Sequence, residues 1–195
     1  MKQLMKQKTI GFFLGSFMVL SLSNCTKSAT SHDEEMAVNA KMNGSSLNLK
    51  KEFKASLSSL NNSGVSGMAT LWLEGNKLTV KIEASGLEEN KIHPQHIHGF
   101  KMDNRNSTCP TMAADVNGDG LVDLAEGLPS YGPVLLDLAP TPIADEEGNI
   151  TYMQTFEISK DLLPLQNRAI VLHGLTVNNE YMATLPVACG QIQSW

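Results

Sequence analysis

Met68-Ala-Thr-Leu-Trp-Leu73 and Leu78-Thr-Val-Lys-Ile-Glu-Ala84, joined through Glu74-Gly-Asn-Lys77, decide the fold class. In the second run Leu78, Val80, Ile82 and Ala84 alternate with polar Thr79, Lys81 and Glu83, the period of a strand with one face buried. A Gly-Asn pair between two such runs reads as a hairpin turn. Outward from this hairpin the pattern repeats. Ile150, Tyr152, Phe156 and Ile158 alternate after Glu146-Glu-Gly-Asn149, Ala169 to His173 and Tyr181 to Ile192 supply further strands, and an earlier one is expected near Phe53 to Leu60. Seven or eight short strands with little helix predict an antiparallel sandwich or flattened barrel.

The two ends of the chain read differently. Lys2, Lys6 and Lys8 precede an apolar run from Ile10 to Leu22 that closes on Ser23-Asn24-Cys25. The run is short for a bilayer span, and its order resembles a bacterial lipoprotein signal, with residues 1–24 removed and Cys25 lipidated. Asn24 is larger than the residue usual before such a cysteine. Residues 25–49 are polar and small, a tether from the lipid bilayer. Its acidic Asp33-Glu-Glu35 is a feature that accompanies surface export in some two-membrane bacteria, so the expected location is the cell envelope, at the outer membrane or cell surface. Residues 50–195 then form one domain. The net charge of −5 becomes −8 once Lys2, Lys6 and Lys8 leave, which gives no reason to expect a nucleic-acid partner.

Three cysteines occur; with Cys25 assigned to lipid, Cys109 and Cys189 remain. An even pair in an oxidising compartment reads as a disulfide, against the alternative of two buried thiols. The bond closes a loop worth roughly 3–5 kcal/mol by chain entropy.

Ile92-His-Pro-Gln-His-Ile-His-Gly-Phe100 and Arg168-Ala-Ile-Val-Leu-His173 hold four of the five histidines. On a strand His96 and His98 share a face, and a third imidazole from a neighbouring strand completes a transition-metal site. His93 precedes Pro94 and is the candidate for an additional ligand.

Residues 101–133 break the strand rhythm and are rich in Asp, Asn, Gly and Pro. Within them Asp115-Val-Asn-Gly-Asp-Gly-Leu-Val-Asp-Leu-Ala-Glu126 fits the twelve-residue EF-hand calcium loop. Asp115, Asn117, Asp119, Asp123 and Glu126 supply side-chain oxygens, Leu121 its carbonyl, and Gly120 the sharp turn. No incoming helix is expected before Asp115, so this is an EF-type loop grafted into a β domain, its calcium structural. The competing reading is a solvated turn.

His96-Ile-His98-Gly-Phe100, Cys109, Gly148-Asn-Ile150, Arg168-Ala-Ile-Val-Leu-His173 and Ala188-Cys-Gly-Gln-Ile192 resemble, in order, the landmarks of the copper/zinc superoxide dismutase superfamily. The resemblance covers residues 65–192, and chordin-type domains carry similar histidine-bearing strands. It implies an eight-stranded Greek-key β-barrel, with Cys109 tying the long loop to Cys189 on the last strand. It makes His96, His98 and His173 three of the four copper ligands. The bridging histidine and the zinc histidines are missing, because no histidine lies between His98 and His173, and no zinc is expected. Pro186 stands where the superoxide-guiding arginine belongs. The resemblance therefore implies an envelope-anchored copper protein whose superoxide dismutation is slow or absent. The alternative is a non-enzymatic, calcium-stabilised adhesion or scaffold domain. No nucleophile elbow or phosphate-binding glycine loop competes with these readings.

Overall fold

The β-hairpin expected around Gly75-Asn76 joins β2 (Ser66–Glu74) to β3 (Lys77–Ser85) in unbroken antiparallel register, from Ser66↔Ser85 to Glu74↔Lys77. Gly75 takes φ +62° at the first central position of the two-residue turn, where a side chain would be strained. This computed structural model describes residues 49–195 apart from residue 104. The signal peptide, the lipidated Cys25 and the tether as far as residue 48 lie outside the described residues.

The remaining strands are β1 (Lys51–Ser59), β4 (Gln95–His98), β5 (Val134–Asp137), β6 (Ile150–Glu157), β7 (Ala169–Val177), β8 (Glu180–Gln191) and a two-residue β9 (Gln193–Ser194). They form one sheet in the order β5-β4-β7-β8-β1-β2-β3-β6, with β9 beside β1. Every pairing is antiparallel. The eight principal strands curl into a half-barrel, with little helix, as the alternating segments predict. Leu71, Leu78, Val80, Ile82, Ile97, Ile170, Leu172 and Val187 fill its concave side and are essentially excluded from solvent. β7 and β8 turn over Asn178-Asn179, both at positive φ, the combination that the right-handed twist of a two-residue hairpin favours.

Two elements were not legible beforehand. β5 is a short strand at the edge of the sheet, and α1 (Leu124–Tyr131) is the one α-helix among the described residues. Asp123 caps α1: its Oδ1 accepts from Glu126 N at 2.9 Å, and Glu126 Oε2 accepts from Asp123 N at 3.1 Å.

The insertion packs on the outer face of the sheet through apolar side chains as well as polar contacts. Tyr131 lies buried against Leu60, Ala169, Val171, Cys189 and Cys109 on the outer face of the sheet. Cys109 and Cys189 are disulfide-bonded, with Cα atoms 5.6 Å apart. Ser107 Oγ donates to Tyr131 O at 2.9 Å. Buried Asn61 grips the loop: Oδ1 accepts from Val122 N, while Nδ2 donates to Val122 O and to Pro186 O. Arg168, also buried, donates from its guanidinium to the carbonyls of Leu162, Leu163, Asp161 and Phe100, tying the neighbouring loops to the start of β7.

Candidate metal centre

β4 and β7 lie side by side, with His96 opposite Val171 and His98 opposite Ala169. Alternation sends Gln95 and Ile97 into the concave core and His96 and His98 to the outer face, under the insertion. Along β7, Ala169, Val171 and His173 share that outer face. The register shifts on both sides of His173, and Gly174 at φ +112° follows it. The three rings converge: their centroids are 5.6 Å (His96–His98), 5.1 Å (His96–His173) and 5.9 Å (His98–His173) apart. One nitrogen from each lies within 4.8 Å of the others. Among the described residues no other group of three or more His, Cys, Asp or Glu converges in this way.

The far side of each ring explains which nitrogen is free. His98 Nδ1 lies 2.8 Å from Gly132 O, and His173 Nδ1 lies 2.9 Å from Thr184 O. A carbonyl only accepts, so each Nδ1 carries the proton and each Nε2 keeps its lone pair. His96 Nε2 faces Asp137 Oδ1 at 3.7 Å across the β4–β5 pair, leaving Nδ1 toward the other rings. Among the described residues His96 Nδ1, His98 Nε2 and His173 Nε2 are the buried ring nitrogens without a hydrogen-bond partner. Burial holds the His173 pKa down at about 3 and that of His98 at about 4; the Gly132 bond opposes the shift at His98 and the nearby His96 adds to it. Burial also lowers His96, against the attraction of Asp137. Neutral imidazoles are the form that binds a metal, and outward-facing acceptors that fix their orientation are a usual part of such sites.

His93 does not join the cluster. It is fully buried, and Nδ1 and Nε2 each lie 3.0 Å from a carbonyl, of His173 and Glu88 respectively. Beside the three rings a pocket of about 150 Å³ opens, its other walls formed by Pro94, Leu124, Val134, Ala183 and Thr184. No cationic side chain lines it. Pro186 sits opposite His173 in the β7–β8 register.

The residues of the twelve-position loop are turned upon their own backbone. Asp115 Oδ1 and Oδ2 accept from Gly118 N and Gly120 N, Asn117 Oδ1 from Asp119 N, and Asp119 Oδ1 from Leu121 N. Glu126 Oε1 accepts from Val116 N and Asn117 N while Oε2 completes the α1 cap with Asp123. Gly118 and Gly120 both hold positive φ, as the sharp turn requires.

Asp137, Tyr131 and the carbonyls of Gly132 and Thr184 were missed by sequence reasoning. Tyr131 packs edge-on against His98, with centroids 4.7 Å apart. No protein-family model matches this chain, and no curated protein matches it.

Proposed function

We propose that this chain is an envelope-anchored, superoxide-dismutase-like lipoprotein that holds copper through His96, His98 and His173. The observation that carries the reading is the set of three buried, unpartnered nitrogens, on rings of which His98 and His173 are fixed from behind by carbonyl acceptors and His96 is faced by the Asp137 carboxylate. An all-nitrogen imidazole set suits copper or zinc, and the resemblance of the flanking segments favours copper. Bound there, copper supplies reversible one-electron chemistry. The carbonyls of Gly132 and Thr184 hold the His98 and His173 rings in place, Asp137 faces His96, and Tyr131 and Leu124 pack beside the site.

Dismutation by this site is slow or absent. The pocket offers no positive charge to draw in an anion, Pro186 replaces the expected arginine, and the net negative charge, −5 for the whole chain and more negative once the signal leaves, opposes approach. The order β5-β4-β7-β8-β1-β2-β3-β6, with its non-consecutive neighbours, is compatible with the Greek-key barrel of this superfamily. Calcium in the Asp115–Glu126 loop has a structural part, supported by the spacing of the oxygens and the two left-handed glycines.

Metal analysis after dialysis of residues 26–195 against copper and zinc tests the reading. One copper per chain is expected, lost in the His96→Ala/His173→Ala variant. Equal copper in wild type and variant refutes the assignment. A calcium-dependent rise in melting temperature with no copper uptake supports the adhesion or scaffold alternative.

A further inference from the structure

The end of the half-barrel where β1 begins has an unusual surface. β1 and β9 start and finish there side by side, Phe53 opposite Ser194, with Trp195 N donating to Glu52 O at 3.1 Å. Leu49 is 73% exposed and Trp195 81% exposed. Lys50 and Lys51 are exposed beside them. The Lys54 ammonium stands 3.4 Å above the Trp195 ring, and Lys50 stands 4.9 Å from the ring of Trp72. Glu52 lies among them, accepting from Trp72 Nε1 at 3.0 Å and pairing with Lys54 at 3.5 Å, and exposed Glu74 follows Leu73, the β2 partner of Lys51. Exposed indole and leucine among ammonium groups is the composition of a headgroup-level membrane contact, where the rings take the amphipathic boundary and the lysines meet phosphate.

We propose that Leu49, Lys50, Lys51, Lys54 and Trp195 form a docking surface for an anionic phospholipid bilayer. Two facts select this occupant. The cluster is positive on a chain whose net charge is −5, so its sign matches anionic headgroups and opposes the rest of the molecule. Leu49 is joined through the chain to residues 1–48, which carry the lipidated cysteine in the reading above, so the covalent link to that anchor enters the domain at this end. The proposal rests on that lipoprotein reading for its position and adds an orientation to it. β1 runs from Lys51 to Ser59, and β8 reaches Thr184, at the metal pocket, beyond the level of the Ser59↔Ala188 pair. At about 3.3 Å per residue, the strand register from Lys51 to the levels of His98, His96 and His173 lifts the histidines roughly 20–30 Å off the bilayer.

The test uses two preparations: the lipidated chain reconstituted into vesicles, and residues 26–195 added to preformed vesicles. Trp72→Phe leaves Trp195 as the sole tryptophan. Vesicles are phosphatidylcholine with brominated acyl chains, with or without phosphatidylglycerol. Expected are quenching of Trp195 in the anionic vesicles and binding of the unlipidated chain that weakens with salt. Binding should weaken at least a hundredfold in Lys50→Glu/Lys51→Glu/Lys54→Glu, from about one kcal/mol per lysine. Unquenched Trp195 on a chain that floats with vesicles overturns the docking surface and leaves the anchor intact. Absence of lipid on Cys25, with lysine-dependent binding unchanged, defeats the anchor and sustains the surface. Trp195 shielded by a second protein, without quenching by lipid, also overturns the proposal.

Discussion

Acidifying the metal-free protein isolates the energetic consequence of burying neutral imidazoles. In the unfolded chain His98 and His173 titrate near 6.5; folded, burial holds them near 4 and 3. The unfolded state therefore takes up protons below pH 6.5 that the folded state refuses. Stability is full above that pH and falls as pH descends from 6.5 toward 4 and then 3. The slope is about 1.4 kcal/mol per pH unit for each group. Between pH 7 and 5 each histidine removes about 2 kcal/mol, so the pair removes about 4 kcal/mol. His96 shifts in the same direction and adds to the loss. Asp145, held low mainly by the amide of Asn149, titrates below this window and does not contribute to it. Against a typical total of about 5–15 kcal/mol this is a large fraction. Guanidinium unfolding in chelator at pH 7 and pH 5 measures it, with His98→Gln/His173→Gln as the reference. A wild-type midpoint that does not move, or a double variant with the full pH dependence, refutes the argument.

Three other substitutions or additions have defined outcomes. Gln95 points its amide into the apolar core with neither polar atom partnered by protein, so Gln95→Leu should raise stability by about 1–3 kcal/mol in denaturant unfolding; a loss would show that the amide is well satisfied. Gly174→Ala would drive a Cβ into the Tyr181 hydroxyl and against His93 Nδ1 at a left-handed backbone position. It should cost about 2 kcal/mol or more and weaken copper uptake, as read by unfolding and by metal titration. Calcium should raise the melting temperature of wild type and not of Glu126→Gln, in which the last loop carboxylate is gone; an equal rise in both would exclude the Asp115–Glu126 loop as the calcium site.

The strands that alternate, β1 to β3 and β6 to β8, were legible because burial of one face imposes period two on their residues. β5 was not. Val134-Leu-Leu-Asp137 has no alternation, and its middle residues are only half-buried, so it is a strand because β4 offers it an edge. α1 was hidden because Asp123 and Glu126 read as calcium ligands while serving as a reciprocal cap. The histidine trio was legible from sparse residues sharing a strand face. Which nitrogen of each ring is free was not, since that depends on carbonyls at Gly132 and Thr184 and on Asp137, groups placed by tertiary structure. The packing under the insertion escaped notice for a similar reason: Val122 and Tyr131 stand among Leu121, Leu124 and Leu128 with no strand alternation to single them out, and Asn61 and the disulfide hold the loop down where they are buried.

Pulsed electron paramagnetic resonance of the copper(II)-loaded protein addresses the central claim most directly, because it counts the imidazoles bound to the ion. Couplings from three histidine rings, reduced to two by His173→Gln, are the result expected here. Copper that couples to one imidazole or none, unchanged by that substitution, would contradict the account.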